Sequence, residues 1–466
     1  MIEKKNLLRR LSVCVAATLL LTLLTVVLPD KTSKTLFAQE RLTLVRAIEL
    51  ALEHNYAIKI SKTVALQAEN NAEGLRGLGN AGVLPNVNLI GAFSEAYSEA
   101  TQRLRSGDSA VIRERRGYAD RINAVIQLDW TLFNGMRMFA TLDRLKALQE
   151  GSRYDVRQQV EGTVAQVMNS YYNIVQQQTL LRALQNALAV SRERLEVAES
   201  RQRIGAGSQL EILRAKVDLN ADSAAVLRQI TTVRNAKATL QTLLAKRADD
   251  ASIDRMVIQD SITLSLPKRI SYQSLIANLE TTNAALLDAR NTQNVSAAAI
   301  REAQAAYYPT VNFGANYSYA NTLRDEVNPI LLGSFANGWS FNVNAQFTIF
   351  NGFDTDRIVQ NAQLEAQNAE LSYNDLKNRL ENSIAQSLRL YDNSIALMTL
   401  EEQSIALARE TERLGVERFK LGSITSLELR EIQLNVLRAE TRLATAQFEA
   451  KAAEIELLRL TGKIVQ

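Results

Sequence analysis

WSFNVNAQFTIFNG, residues Trp339 to Gly352, joins two structural regimes. Trp339, Phe341, Val343, Ala345, Phe347 and Ile349 alternate with Ser340, Asn342, Asn344, Gln346 and Thr348, a period of two. A strand with one apolar and one polar face belongs between an oily and a wet phase, and roughly 9 to 11 tilted residues cross a bilayer. Beyond Gly352 the alternation stops. From Phe353 to Leu421 there is no proline, and Leu364, Leu371, Leu376, Leu380, Ile384 and Leu388 recur at helical spacing. At about 1.5 Å per residue such a helix is about 100 Å long. The pattern predicts a membrane-crossing strand that runs straight into a very long rod.

The same junction occurs earlier. Arg121 to Phe133 places Ile122, Ala124, Ile126, Leu128, Trp130 and Leu132 on one face, and it ends in Phe133-Asn134-Gly135 as the later strand ends in Phe350-Asn351-Gly352, an offset of 217. A proline-started strand precedes each, at Leu84-Pro85 and Tyr308-Pro309, an offset of 224. Arg201-Gln202-Arg203-Ile204-Gly205 matches Arg418-Phe419-Lys420-Leu421-Gly422, again at 217. Ordered landmarks of this kind indicate a duplicated unit of strand, strand, long helix, turn and long helix.

The duplication sets the boundaries. Residues 1–38 are a signal peptide, and the first repeat spans 39–250, with a helix from Leu42 to Glu73, strands 86–97 and 121–133, and a helical hairpin turning near 205. Its long helices are expected at Met136–Ile204 and Gln209–Lys246. A charged side segment occupies 251–270. The second repeat, 271–466, holds a helix from Ser271 to Ala306, strands 310–319 and 339–350, and a hairpin turning near 422 whose last helix is Ser426–Leu460. Ser98–Asp120, with Arg103, Arg105, Arg113, Arg115 and Arg116, and Asn321–Gly338 connect crossing strands and read as surface loops, the first with charge suited either to solvent or to anionic headgroups.

Charge excludes one partner class. The chain holds 54 basic and 50 acidic residues, but residues 1–38 contain six basic and two acidic ones, leaving 48 of each. The balance is neutral and offers nothing to nucleic acid. The leader has the order of an export signal: Lys4, Lys5, Arg9 and Arg10, the apolar run Leu11–Leu28, and a cut after Ala38, or else it stays as an uncleaved anchor. Cys14, the one cysteine, lies too close to Arg10 for a lipid-attachment box, and removal of the leader leaves no thiol for disulfides or cysteine metal sites. His54 is the one histidine and reads as a surface or turn residue, so histidine triads and the usual zinc sites cannot be assembled in one chain. No catalytic constellation or cofactor motif is present, and no enzyme is expected.

Architecture follows from one physical difficulty. Four strands cannot close a barrel, and an open edge facing lipid leaves backbone groups unpaired at several kcal/mol each. Several chains must share a barrel, and three copies supply twelve strands, within the range of outer-membrane barrels.

With these features in order, the chain resembles the outer-membrane efflux protein family, the TolC family. The likeness runs from Leu42-Thr43-Leu44 through both proline strand starts, both Phe-Asn-Gly junctions and both glycine turns, and so covers essentially all of the chain after the leader. The resemblance implies an α+β membrane protein in the Gram-negative outer membrane. It implies a homotrimer whose shared twelve-stranded β-barrel continues into a long α-helical barrel across the periplasm, in contact with outer-membrane lipid. It also implies partnership with an inner-membrane transporter and a periplasmic adaptor. The expected role is a passive exit duct for efflux or type I secretion. The alternative is a periplasmic coiled-coil scaffold without a pore.

In the family the hairpin turns carry adaptor docking and the gate. Here they are Arg201, Ile204, Gly205 and Ser208 in the first turn and Arg418, Leu421, Gly422 and Ser423 in the second. Chemically these are tight turns, in which glycine allows a left-handed backbone and Ser208 or Thr425 caps the returning helix. Glu428 and Glu431 share one helix face at i, i+3 and by spacing alone are a solvated pair. The resemblance gives them a charged constriction, matching in charge with glutamate for aspartate. Glu211 matches a family acid that latches the closed tip, but Phe419 and Ile424 replace its expected hydroxyl and cationic partners, leaving Arg430 or Arg201 as substitutes.

Overall fold

The structure, a computed structural model, describes residues 40–106, 109–246, 253, 255–267, 269–325 and 333–465. The leader with Cys14, and the ends of both strand connections, lie outside these residues.

The chain opens with strand β1 (Glu40–Arg41) and three short helices, α1 (Leu44–His54), α2 (Tyr56–Ala72) and α3 (Gly74–Asn80). Strands β2 (Asn86–Ser106) and β3 (Ser109–Asn134) follow, then α4 (Arg137–Arg203) and α5 (Gln209–Leu243). After β4 (Met256–Val257) come α6 (Tyr272–Ile276), α7 (Leu279–Thr282) and α8 (Ala284–Gln304). The second strand pair is β5 (Thr310–Asp325) and β6 (Ser334–Gln346), and the chain ends with α9 (Asp354–Lys420) and α10 (Ser426–Leu460). Both repeats pair a 67-residue helix with a 35-residue one. At about 1.5 Å per residue, each longer helix runs about 100 Å.

The expected single helix Leu42–Glu73 is broken at Asn55. Its side-chain oxygen accepts from the amides of Ala57 (2.9 Å) and Ile58 (3.3 Å), capping α2, while its amide group donates to Leu243 O at 2.9 Å. The expected helix Ser271–Ala306 is likewise broken into α6, α7 and α8. Asn283 caps α8 through the Leu286 amide (3.0 Å) and donates to Leu460 O at 2.8 Å. In both repeats one asparagine starts a helix and satisfies a carbonyl at the end of the 35-residue helix. α5 accordingly stops at Leu243, short of the expected Lys246.

The four long strands form one antiparallel sheet in the order β2-β3-β5-β6. Register turns the period-two pattern into a continuous surface. Leu89 opposes Ile126, Ile126 opposes Tyr317, and Tyr317 opposes Trp339. One face is therefore apolar across all four strands, and the other carries Asn88, Gln127, Asn316 and Ser340. The strands differ from expectation at their ends. Pairing of β2 with β3 continues through most of Ser98–Asp120, up to Ser106 opposite Ser109, and the second connection narrows because β5 reaches Asp325 and β6 begins at Ser334. Ladder hydrogen bonds satisfy the backbone whatever the side chains, so polarity does not end these strands beyond the oily layer. The expected strand 339–350 stops at Gln346, and Phe347 to Phe350 leave the sheet.

At each strand-to-helix junction two consecutive residues are left-handed: Gly135 (φ 68°) with Met136 (φ 66°), and Gly352 (φ 68°) with Phe353 (φ 64°). Asn134 accepts from the Met138 amide at 3.2 Å, bridging the turn, and the Asn351 amide group donates to Thr355 Oγ1 at 2.7 Å. The two glycines are not equivalent. A Cβ on Gly135 would lie 2.3 Å from Ala305 O and 2.9 Å from Tyr308 Cβ, whereas nothing lies near one on Gly352. Both Gly→Ala changes cost about 1–2 kcal/mol for the left-handed backbone, but only G135A adds a backbone collision. Thermal unfolding of the two variants should show G135A clearly the less stable, and equal midpoints would refute the difference.

The main core lies where the side segment crosses the helices. Tyr171, Tyr172, Ile174, Leu240, Leu244, Met256, Ile258 and Ile455 are buried together, and β4 pairs in parallel with β1. The segment is held by side chains from four helices. Lys237 donates to Met256 O (2.6 Å), Lys451 to Thr263 O (2.8 Å) and Tyr391 to Leu266 O (3.0 Å), while Glu454 Oε1 accepts from the amides of Ser265 and Leu266, both at 2.5 Å. Tyr171 donates to Asp260, and burial pushes the Tyr171 hydroxyl well above its usual range.

Candidate functional site

The ends of α4–α5 and α9–α10 form the tips, and both turns use the same geometry. Helix α4 closes with the Ala206 amide donating to Arg201 O (2.9 Å) and the Gly205 amide to Gln202 O (2.9 Å), with Gly205 at φ 80°. Helix α9 closes with Ser423 donating to Arg418 O (2.9 Å) and Gly422 to Phe419 O (3.0 Å), with Gly422 at φ 77°. This paired closure satisfies the last carbonyls and demands a left-handed residue, which explains both glycines. Ile204 and Leu421, the residues just before them, are 78% and 82% exposed and stand at the extremities of the protomer.

Each returning helix is capped. Ser208 Oγ accepts from the Leu210 amide at 3.2 Å. Thr425 and Glu428 form a reciprocal capping box: Thr425 Oγ1 accepts from the Glu428 amide (3.2 Å), and Glu428 Oε2 accepts from the Thr425 amide (2.7 Å) and hydroxyl (2.9 Å). Glu428 is thus tied to its own helix start, a use that spacing to Glu431 did not reveal. The signal was present as Thr425-Ser426-Leu427-Glu428. The Thr425 amide, then its hydroxyl, hold the Glu428 carboxyl below the usual carboxylate range. The cap therefore contributes fully above the ordinary carboxylate pKa and is lost as pH falls through the lower folded value. Limited proteolysis should find the 421–428 turn equally resistant at pH 7 and 5 and more readily cut near pH 3; cutting that ignores pH would refute this. Glu431 is exposed, and its carboxylate makes no hydrogen bond or ion pair among the described residues.

The expected substitutes for the latch have other partners. Arg201 donates to Phe419 O and lies 4.7 Å from the centre of the Phe419 ring, joining the two tips through the residue whose missing hydroxyl was noted. Arg430 binds Asp222 in a two-pronged pair at 2.7 and 2.9 Å. Neither makes an ion pair with Glu211, although both line the same groove as Glu211, together with Leu213, Val217, Ile424, Leu427 and Glu428. Other groups here come from far apart in sequence and no spacing announced them. Arg194, with a fully buried side chain, pairs with Asp218 at 2.5 Å, and Lys420 pairs with Glu193. No cluster able to hold a metal ion occurs among the described residues.

A long-helix hairpin repeated twice, a sheet with one apolar face and capped tips are features of outer-membrane efflux proteins, and comparison with known proteins agrees. The chain belongs to the outer membrane efflux protein family, whose model matches residues 47–246 and 275–463. It lies in the outer membrane of a Gram-negative bacterium and extends into the periplasm. Among curated relatives, outer membrane protein TolC of Vibrio cholerae is 20% identical over 402 residues, 82% of this chain and 88% of that protein. Outer membrane efflux protein BepC of Brucella suis is 20% identical over 341 residues, 73% of this chain and 72% of that protein. Among solved structures, the outer-membrane channel OprN superposes with a TM-score of 0.72 at 19% identity, covering 90% of both chains. VceC of Vibrio cholerae superposes at 0.69 and 19% identity, covering 90% of this chain and 96% of that one.

Proposed function

We propose that three copies of the chain form the passive exit duct of a tripartite efflux or type I secretion system, fed by an inner-membrane transporter through a periplasmic adaptor. The observation that carries this reading is the four-stranded sheet with one continuous apolar face and two unpaired edges, β2 and β6, running directly into 67-residue helices. Edges of that length are stable in lipid only when paired, and three copies joined β6 to β2 close twelve strands. Aromatic side chains gather at both ends of the apolar face. Tyr97 and Tyr118 (5.2 Å) lie at one end and Trp130, Phe350 and Phe353 at the other, while Tyr319 with Phe335 (5.2 Å) lies between them, Tyr319 opposite Ala124. Tyr118 to Trp130 is about 40 Å of strand, which at a tilt of about 40° rises about 30 Å, the height of an outer-membrane apolar band with its girdles.

The helices support the same assembly. Near the tips they lie in the order α5, α4, α10, α9, so α5 and α9 are the flanks. Leu210, Leu213 and Val217 on α5 and Leu400, Leu407 and Leu414 on α9 are exposed, the latter at heptad spacing. Apolar stripes on opposite flanks suit a head-to-tail ring. The tips, with Arg201, Ile204, Gly205, Ser208, Arg418, Leu421, Gly422 and Ser423, dock the adaptor, and Glu211, Glu428 and Glu431 line the narrowest point.

Single-channel recording in planar bilayers, with native mass of the detergent-extracted protein, tests the reading. A trimer giving small cation-selective currents that divalent or trivalent cations block is expected, with the block weakened at least tenfold by Gln at 428 and 431 together. A monomer without current would leave the periplasmic scaffold as the better account.

A further inference from the structure

The sheet contains one seam between the two repeats and lacks its counterpart. β3, the second strand of the first repeat, pairs with β5, the first strand of the second. Trp130 lies opposite Phe313 and Thr131 opposite Asn312, and a register shift then brings Phe133 opposite Val311 and Asn134 opposite Thr310. Thr131 Oγ1 donates to Asn312 Oδ1 at 3.0 Å. The corresponding strands of the duplicated unit, β6 and β2, are the two open edges. Pro309-Thr310-Val311-Asn312-Phe313 matches Pro85-Asn86-Val87-Asn88-Leu89, and Trp130-Thr131-Leu132-Phe133-Asn134 matches Phe347-Thr348-Ile349-Phe350-Asn351. The threonine and the asparagine therefore recur, as Thr348 and Asn88, but their side chains make no hydrogen bond among the described residues. Phe347 to Asn351 leave the sheet because β5 begins at Thr310, opposite Gln346, and Pro309 before it has no amide to offer. Trp130 to Asn134 stay in strand because β5 is there to pair with them.

We propose that the seam between copies repeats the seam between repeats: β6 of one copy pairs with β2 of the next in the register of β3 with β5, Thr348 meets Asn88, and Phe347 to Asn351 become strand only in the assembly. The inference rests on the shared-barrel reading for the existence of this seam and adds its register. Carrying the β3–β5 ladder over by the two repeat offsets places Trp339 opposite Tyr97, Val343 opposite Phe93, Ala345 opposite Gly91 and Phe347 opposite Leu89 of the next copy. Each of these pairs joins one apolar face to the other, although the offsets come from matching sequence and not from matching faces. A slip of one residue would turn Phe347 and Val343 against the polar side of β2. A slip of two keeps the faces but parts Thr348 from Asn88. The register shift carries over as well, between Thr348 and Phe350, with Ile349 the residue passed over, and an irregularity of this kind pins a ladder against sliding.

Disulfide trapping reads the register. Residues directly opposite in an antiparallel pair have Cα atoms about 4.5–5.5 Å apart, within the span of a disulfide, whereas diagonal neighbours two positions off, at about 7–8 Å, lie outside it. β2 and β6 stand at opposite edges of one copy, so any link between them joins copies. On a Cys14→Ser background, N88C with T348C, oxidised in the membrane and run on a denaturing gel without reductant, should give at least tenfold more linked dimer and trimer than I90C with T348C, which asks the same cysteine to reach two residues further along β2. V343C with F93C, against V343C with G91C, repeats the comparison on the lipid face and serves if a lumen variant fails to fold. As much linking from the slipped pairs as from the matched ones, or none from the matched pairs in a protein that is a trimer by native mass, overturns the register and leaves the shared barrel standing. No linking from any pair in a protein that is a monomer by native mass defeats the shared barrel and the register with it.

Discussion

Phe341→Arg is expected to remove the protein from the outer-membrane fraction. Phe341 stacks on Trp339 at 5.7 Å between ring centres and lies opposite Ala315 on the apolar face. An arginine on a lipid-facing strand costs up to about 2–4 kcal/mol, the full figure holding at the bilayer midplane. Closure multiplies that cost by the number of copies, which makes it comparable with the whole stability of many folded proteins, about 5–15 kcal/mol. The control is Asn344→Arg, three positions on and on the opposite face, where Asn344 pairs with Asn312. There the guanidinium would meet water in the lumen, so trimers should still form, with altered conductance. Fractionation and native mass of both variants give the answer. Equal loss from both, or normal assembly of F341R, would mean that the apolar face does not meet lipid.

Lys451→Met is expected to cost about 3–5 kcal/mol, the usual result of breaking a buried pair by removing one partner. The Lys451 and Glu454 side chains are 4% and 0% exposed and 2.5 Å apart. Glu454 also holds the side segment through two backbone amides, and the Lys451 ammonium lies 5.0 Å from the centre of the Tyr172 ring. Removing the lysine leaves a carboxylate with two hydrogen bonds but no cation in the main core. K451M combined with E454Q should recover much of the loss, since the glutamine carbonyl can still accept from Ser265 and Leu266 without carrying charge. Thermal unfolding in detergent measures both. A single variant within about 0.5 kcal/mol of wild type, the range of ordinary surface changes, would show that the side segment is not held through this pair.

Most of the architecture was open to reading because it is written locally. A strand with one apolar face needs a period of two, and Ile122 to Leu132 and Trp339 to Ala345 display it residue by residue. A left-handed turn needs glycine, and Gly135, Gly205, Gly352 and Gly422 all adopt positive φ. The duplication was visible because the landmarks are short and contiguous. What the sequence concealed depends on pairs distant in the chain. The strands run past their apolar stretch because a ladder partner is available, and Met136 and Phe353 are left-handed because their glycines set the turn before them. Asn55 and Asn283 break helices that periodicity would continue, because each finds a carbonyl at Leu243 or Leu460 nearly 180 or more positions away.

The tip shows the division most clearly. The sequence by itself determined that two glycine turns end two pairs of long helices and that Glu428 and Glu431 share a face, since turn chemistry and helical spacing act over a few residues. Tertiary structure alone decided that Glu428 turns back to Thr425, that Arg430 goes to Asp222 and not Glu211, and that Arg194 is buried beside Asp218. A charge takes whichever partner packing brings within reach, and that choice is made by helices meeting along their length, not by neighbours in the chain.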